Sequence, residues 1–175
     1  MSQETRKFRQ RRLEAAKGYL ALGMAGAALK ELQRITDREA CLFDYSLLSA
    51  EAYRDLKQYE NAVPLFEQAL HHAPHHLQAL LGLAWCFKRI NRLHDAIDTL
   101  ERARRWHPDE SIVIYNLACY FSLLGDKPKA IECLGRSLRM EPELKRLIPH
   151  EPDFNDLRQD PDFQFVTNAV RSEDD

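Results

Sequence analysis

The sequence predicts an all-α fold of stacked helix pairs, because the same pattern of residues returns at a fixed step of 34 positions. Stacked arrays show such a period because no single unit can bury its apolar face alone. The recurring columns hold prolines (Pro74, Pro108, Pro142), aromatic residues (Tyr19, Tyr53, Phe87, Phe121), alanines (Ala16, Ala50, Ala84, Ala118 and Ala28, Ala62, Ala96, Ala130) and larger apolar residues (Leu32, Phe66, Leu100, Leu134). Five columns that stay in phase predict a repeat protein.

Each unit is predicted to contain two amphipathic helices. When the units are counted from Arg9, Phe43, Leu77 and Ser111, small or apolar residues favour positions 4, 8 and 11 and then positions 20, 21, 24, 27 and 28. Both runs follow the i, i+3, i+4, i+7 spacing of a helix with one buried face. The run Ser111–Tyr115 alone resembles a strand, but the phase of the repeat predicts a helix there. The alanine at position 8 is expected at a helix crossing, where a larger side chain would push the helices apart.

Local residues predict where these helices begin and end. Asp126 and Pro128 predict a capped start for the second helix of the last unit, and the prolines at position 32 predict the ends of the second helices. Pro64 lies inside one predicted helix, so we expect an irregular first turn there. Position 15 holds residues that favour a left-handed backbone at the end of the first helix, namely Gly23, Asn91 and Gly125.

A helix–turn–helix unit with Ala at position 8, an aromatic at 11, Ala at 20, a small residue at 27 and Pro at 32 resembles a tetratricopeptide repeat. The resemblance is closest from Tyr115 to Pro142, whereas the first unit has Ile35 and Ala40 at the last two of these positions. It implies an all-α tetratricopeptide-repeat α-solenoid of antiparallel helix pairs forming a right-handed superhelix. The repeats are expected at residues 9–42, 43–76, 77–110 and 111–142, after a basic extension of the first helix at residues 1–8.

Residues 143–171 are predicted to cap the end of the array, because a terminal repeat leaves an apolar face exposed. Their apolar residues are Leu144, Leu147, Ile148, Phe154, Leu157, Phe163, Val166 and Val170, with Pro149 expected to break the first turn and Asp160-Pro161 to start a last helix. The twin Glu-Pro-Asp-Phe and Asp-Pro-Asp-Phe segments resemble the segment that follows the last repeat in bacterial members of this family. We interpret their acids as helix caps rather than calcium ligands, because the glycine and terminal glutamate of a calcium loop are missing. Residues 172–175 form an acidic tail.

Composition excludes several classes of function. The net charge of −2 does not favour nucleic acid or a membrane surface, and no apolar run is long enough to span a bilayer. No apolar segment of a secretory signal follows the basic start of the chain. The four cysteines include no C-x-x-C pair, which predicts free thiols and a cytoplasmic location.

Two clusters of ionisable residues are candidate sites. Four of the seven histidines lie in residues 71–76, but Pro74 places them in the turn between two repeats, and their spacing matches no structural zinc pattern. We therefore predict no metal and no cofactor. The basic residues of the N-terminus are expected to form a solvated helix face, with contact to nucleic acid or an acidic partner as the alternative: Arg6, Lys7, Arg9, Arg11 and Arg12.

A partner is expected to bind the stripe at positions 2, 5, 9 and 12 of the first helices, about 100° around each helix from the core positions. In the resembling family this stripe lines the concave groove. Trp85 is the expected anchor, with Tyr115 one repeat further on, because such residues dominate interface energies; a covering C-terminal segment or dimer mate is the alternative. The candidate residues are Lys17, Leu47, Glu51, Arg54, Leu81, Trp85, Lys88, Tyr115, Cys119 and Ser122.

The sequence favours a non-enzymatic scaffold or adaptor that binds a peptide segment of a protein partner. It contains no glycine-rich phosphate loop and no H-E-x-x-H or G-x-S-x-G motif. The carboxylate clamp of co-chaperones in this family is absent, since its positions hold Leu13, Lys17, Leu48, Gln78 and Gly82. The alternatives are a dedicated chaperone like those of type III secretion and an RNA-associated module that uses the basic N-terminus. A homodimer is compatible with each of these functions.

Overall fold

The computed structural model describes residues 3–169, and all regular structure in that range is helical. The predicted all-α class is therefore confirmed for the described residues, whereas Val170 and the acidic tail at 172–175 lie outside them. The α-helices are α1 Gln3–Ala21, α2 Ala25–Gln33, α3 Leu42–Asp55, α4 Tyr59–His72, α5 Leu77–Arg89, α6 Leu93–Trp106, α7 Ser111–Leu124, α8 Lys127–Met140 and α9 Pro161–Ala169. The 3-10 helices are Arg38–Cys41, Pro142–His150 and Pro152–Leu157.

A left-handed residue ends the first helix of every repeat. Gly23, Asn91 and Gly125 have the predicted positive φ angles of 70°, 65° and 80°. Lys57 holds the same place in the second repeat with φ of 60°, although a lysine pays a steric cost there. This turn recurs because it lets later backbone N–H groups satisfy the last carbonyls of the helix, as in the 2.9 Å bond from Asp126 N to the Phe121 carbonyl.

The structure confirms the other local predictions for the helices, except the one at Pro64. α4, α6 and α8 each end two residues before a proline of the 34-residue column. Asp126 caps α8 by accepting a 3.3 Å hydrogen bond from the backbone N of Lys129. The segment Ser111–Tyr115 is helical, because packing in the repeat overrides its local β propensity. The expected irregular turn at Pro64 is wrong, since α4 runs through this residue as one helix.

The chain divides into two compact units, Met1–Asn91 and Arg92–Asp175. In the first unit α1 packs on α2 and α3 on α4, while α2 contacts α3 and α4 contacts α5. The alanines at position 8, Ala16, Ala50 and Ala84, are fully buried, as predicted for helix crossings. Successive helices therefore share the core of this unit.

In the second unit α7 packs on both α6 and α8, and the segment after α8 folds back onto this pair. The 3-10 helix Pro152–Leu157 contacts α7, while the 3-10 helix Pro142–His150 and α9 contact α8. Two of the acids cap the helices that follow them: Glu151 accepts from the backbone N of Asp153 at 3.2 Å, and Asp160 accepts from that of Asp162 at 2.9 Å. Leu147 departs from the expected apolar turn, because it is exposed on the 3-10 helix that also contains Pro149.

Replacing Ala84 by leucine is expected to destabilise the protein by about 1–3 kcal/mol, because the buried site has no space for a longer side chain. Urea unfolding followed by circular dichroism would measure this loss. Gln78→Leu, at an exposed position of the same helix, is the matched control and should change stability by less than about 0.5 kcal/mol. Equal unfolding midpoints for Ala84→Leu and the unmodified protein would contradict the position of Ala84 at a helix crossing.

Candidate partner-binding groove

The first helices of the first three repeats lie side by side in the first unit. α1 contacts α3, and α3 contacts α5. Lys17 lies on α1, Leu47, Glu51 and Arg54 lie on α3, and Leu81, Trp85 and Lys88 lie on α5. The predicted residues of this unit thus occupy three neighbouring helices.

The predicted groove residues of this unit differ in how far their side chains are exposed. Lys17 is exposed and pairs with Glu14 of the same helix at 3.6 Å. The residues Leu47, Glu51, Arg54, Leu81 and Lys88 are half-buried. Trp85 is 37% exposed, so part of its side chain is open to solvent.

Trp85 is held in place by two residues that the sequence analysis missed. The ring of Tyr59, at the start of α4, meets the Trp85 ring edge-on with 5.2 Å between centroids. The guanidinium of Arg89 lies 5.4 Å from the Trp85 centroid and 5.6 Å from that of Tyr59. These three residues form the Trp85 cluster. Its aromatic edge contact and its cation–π contacts restrict the indole, part of which stays exposed to solvent.

The sequence could have indicated one of the two residues that contact Trp85, but not the other. Arg89 follows Trp85 by four residues on the same helix, so helical spacing alone could have brought it to notice. Tyr59 belongs to the preceding repeat, and its contact with Trp85 depends on how α4 packs against α5. Only the folded unit reveals that contact.

Charged groups on α3 border the same surface. Burial raises the pKa of Glu51, the nearby Arg54 opposes this, and Asp55 adds to it. Arg54 donates from Nε and Nη2 to one oxygen of Asp55 at 3.1 and 3.0 Å. Burial raises the pKa of the Cys86 thiol to about 11, an effect that Arg54 again opposes. Glu51 therefore offers a partly desolvated carboxyl group that favours a hydrogen-bond donor or a cation.

The fourth repeat departs from the expected groove. Tyr115 is only 2% exposed, and Cys119 and Ser122 are buried as well. The C-terminal segment covers this face of α7: the Phe154 ring lies 5.8 Å from that of Tyr115, and Ser122 Oγ donates to the Asp153 carbonyl at 2.7 Å. The expectation for these three residues is corrected, because a partner cannot reach them while the segment is in place.

The histidine-rich turn joins the end of α4 to the start of α5. His76 Nδ1 accepts from the backbone N of Ala79 at 3.3 Å and so caps α5, and its ring contacts that of Phe43 at 5.0 Å. The rings of His71 and His72 meet edge-on at 5.4 Å at the exposed end of α4. Within the described part of the chain these histidines form no group of three ligands close enough to share one metal ion.

Two arginines of the basic N-terminus form ion pairs within the first repeat. Arg9 is buried and its guanidinium bonds to Asp37. Arg12 pairs with Glu31 at 2.5 Å, and this hydrogen bond is the main reason why the pKa of Glu31 is lowered. These two arginines have protein partners, which leaves Arg6, Lys7 and Arg11 as the exposed part of the cluster.

Family models identify the repeat. Two models described as tetratricopeptide repeat match residues 53–118 and 113–144. Together they span residues 53–144, more than half of the 175 residues. The chain belongs to the tetratricopeptide repeat family, as its 34-residue pattern predicts, and this membership indicates a protein-interaction scaffold with protein partners.

Solved structures show the same fold at low sequence identity. A crystal structure of MamA protein has a TM-score of 0.77 at 16% identity, covering 94% of this chain and 91% of that one. MamA 41-end from Desulfovibrio magneticus RS-1 has a TM-score of 0.74 at 22% identity, covering 100% and 99%. A mutant O-GlcNAc transferase from Thermobaculum terrenum has a TM-score of 0.70 at 16% identity, covering 79% of this chain but 27% of that one. At such identities the likeness shows the fold alone.

No curated protein matches this chain. Among the described residues, no helix combines the length and the apolar character that crossing a membrane requires.

Proposed function

We propose that this protein is a non-enzymatic adaptor that binds a peptide segment of a partner protein on the surface lined by α1, α3 and α5. The observation that carries this proposal is the Trp85 cluster, in which an open indole is held in one orientation by Tyr59 and Arg89. Preorganised aromatic and arginine side chains are the residues that most often dominate interface energies. The core of the repeat does not require a tryptophan at this exposed position.

The remaining residues of this surface would set affinity and direction. Leu81, four residues before Trp85 on α5, and Leu47 on the neighbouring α3 supply half-buried apolar area, which suits an apolar side chain of the peptide. Glu51 and Lys88 carry opposite charges on adjacent helices, so they would favour one direction of the bound segment. We propose a cytoplasmic setting for this binding, which the free state of all four cysteines supports.

Trp85→Ala is expected to weaken partner binding by about 2 kcal/mol, roughly a thirtyfold rise in Kd, while the protein still folds. The partner would be captured from lysate with the unmodified protein, and the affinity of its binding segment measured by calorimetry. Trp106→Ala is the control, because Trp106 is 56% exposed on α6 in the other unit. The control should bind normally.

Other outcomes of this experiment identify the competing functions. A Trp85→Ala protein that melts much earlier would make Trp85 a core residue, and one that binds its partner unchanged would remove this surface from the function. Capture lost on nuclease treatment would favour the RNA-associated module and its exposed Arg6, Lys7 and Arg11. A captured secretion substrate would favour the type III-like chaperone, and a doubled mass in light scattering would show a homodimer.

A further inference from the structure

The second unit contains a buried group of metal-type ligands outside the proposed groove. Cys119 on α7 lies beside Glu151 and Asp153 of the C-terminal segment, and one ligand atom from each lies within 4.8 Å of the other two. Cys119 and Asp153 are buried and Glu151 is half-buried. Around a tetrahedral zinc ion, neighbouring ligand atoms stand about 3.3–3.7 Å apart. Separations of up to 4.8 Å would have to shorten for the three atoms to share one zinc ion.

A buried hydroxyl group without a hydrogen-bond partner belongs to the same helix as Cys119. The Tyr115 hydroxyl is shielded from solvent and makes no hydrogen bond, although buried polar groups nearly always have a partner. Tyr115 precedes Cys119 by four residues, so both side chains project from one face of α7. Burial raises the pKa of Tyr115, and the charges of Cys119, Glu151 and Asp153 raise it further. We call these four residues the Cys119 cluster.

One basic side chain that acts on this cluster binds to the backbone. Arg158 is the cation that acts on Tyr115, but its Nη2 donates to the carbonyls of Ile148, Pro149 and Glu151 at 3.3, 3.2 and 3.0 Å. Its Nε donates to Asn155 at 3.0 Å. Arg158 therefore holds the backbone of the C-terminal segment.

We propose that Cys119, Glu151 and Asp153 bind one Zn²⁺ ion, with the Tyr115 hydroxyl as the fourth donor. A thiolate and carboxylates together suit zinc, whereas calcium and magnesium take oxygen ligands alone. Binding deprotonates the Cys119 thiol, and this proton is released to solvent. The ion would join α7 to the C-terminal segment, since the ligands come from both.

Cobalt substitution tests this site directly, because a thiolate ligand gives Co²⁺ a charge-transfer absorption band in the near ultraviolet. The full-length protein, freed of metal with a chelator, is expected to bind one equivalent of Co²⁺ with this band and to lose the band when one equivalent of Zn²⁺ is added. Cys119→Ser should abolish the band. Cys133→Ser, which removes another buried thiol of the same unit, should keep it.

Two further variants keep the test decisive if Cys119→Ser fails to fold. Glu151→Gln can still accept the hydrogen bond from the backbone of Asp153, so it should fold but bind Zn²⁺ at least about tenfold more weakly. Tyr115→Phe should fold at least as well as the unmodified protein without metal, yet gain less thermal stability from Zn²⁺. The absence of the band, its persistence in Cys119→Ser, or unchanged zinc affinity in Glu151→Gln would overturn the proposal. Metal lost instead on His71→Gln and His72→Gln substitution would show adventitious binding at the exposed turn.

Discussion

Phe154→Ala is expected to destabilise the second unit by about 3–5 kcal/mol, the usual range for emptying a buried aromatic site. Phe154 is fully buried, and its ring lies between those of Tyr115 and Phe163, 5.8 and 5.4 Å away. Its loss would leave a cavity where the C-terminal segment meets α7. Urea unfolding gives the loss of stability, and hydrogen exchange should show weaker protection of α7 in the variant.

Phe165→Ala is the matched control for Phe154→Ala, because Phe165 is 74% exposed on α9. Its effect should stay within about 0.5 kcal/mol. Similar losses in the two variants would mean that the C-terminal segment does not depend on Phe154. The burial of Tyr115 would then need another explanation.

Phe66→Ala is expected to lower the free energy of unfolding of the first unit by about 3–5 kcal/mol. Phe66 is fully buried on α4, and its ring fills the space in front of Gly82 on α5. A Cβ atom at Gly82 would lie 2.5 Å from the tip of that ring, closer than such atoms approach in folded proteins. Urea unfolding would measure the effect.

The contact between Phe66 and Gly82 predicts that the effect of Gly82→Ala on stability changes sign when Phe66 is also replaced by alanine. Gly82→Ala alone should destabilise through the clash, although alanine favours a helix over glycine by about 1 kcal/mol. In the Phe66→Ala background the clash is absent, so the same change should stabilise. Gly18→Ala is the control on α1, where an added Cβ meets nothing within 4 Å, and it should also stabilise. Additive effects of the two substitutions would contradict this close packing.

Sequence reasoning predicted the repeated part of the fold because each helix pair must present the same residues to its neighbours. The column of alanines that includes Ala84, and the left-handed Gly125, follow from that requirement. Lys57 was not predicted as left-handed, because its conformation comes from the turn rather than from its own preference.

The candidate site was predictable only in part. The exposure of Trp85 follows from its position in the repeat, but its contact with Tyr59 depends on helix packing. The burial of Tyr115 could not be derived from the period, since the segment that covers it has no counterpart in the repeat. The Cys119 cluster was invisible for the same reason: its residues come from segments more than thirty positions apart in the sequence.

The C-terminal segment also determines how many units this array can contain. It occupies the sides of α7 and α8 against which another helix pair would otherwise pack, and the pairing of Lys127 with Asp160 and Asp162 at 2.5 and 3.0 Å ties the start of α9 to α8. A longer relative could not arise by duplicating a repeat beyond residue 142 while this segment kept its place. A further repeat at this end would have to be inserted upstream of the C-terminal segment. The segment would then pack against the new last repeat.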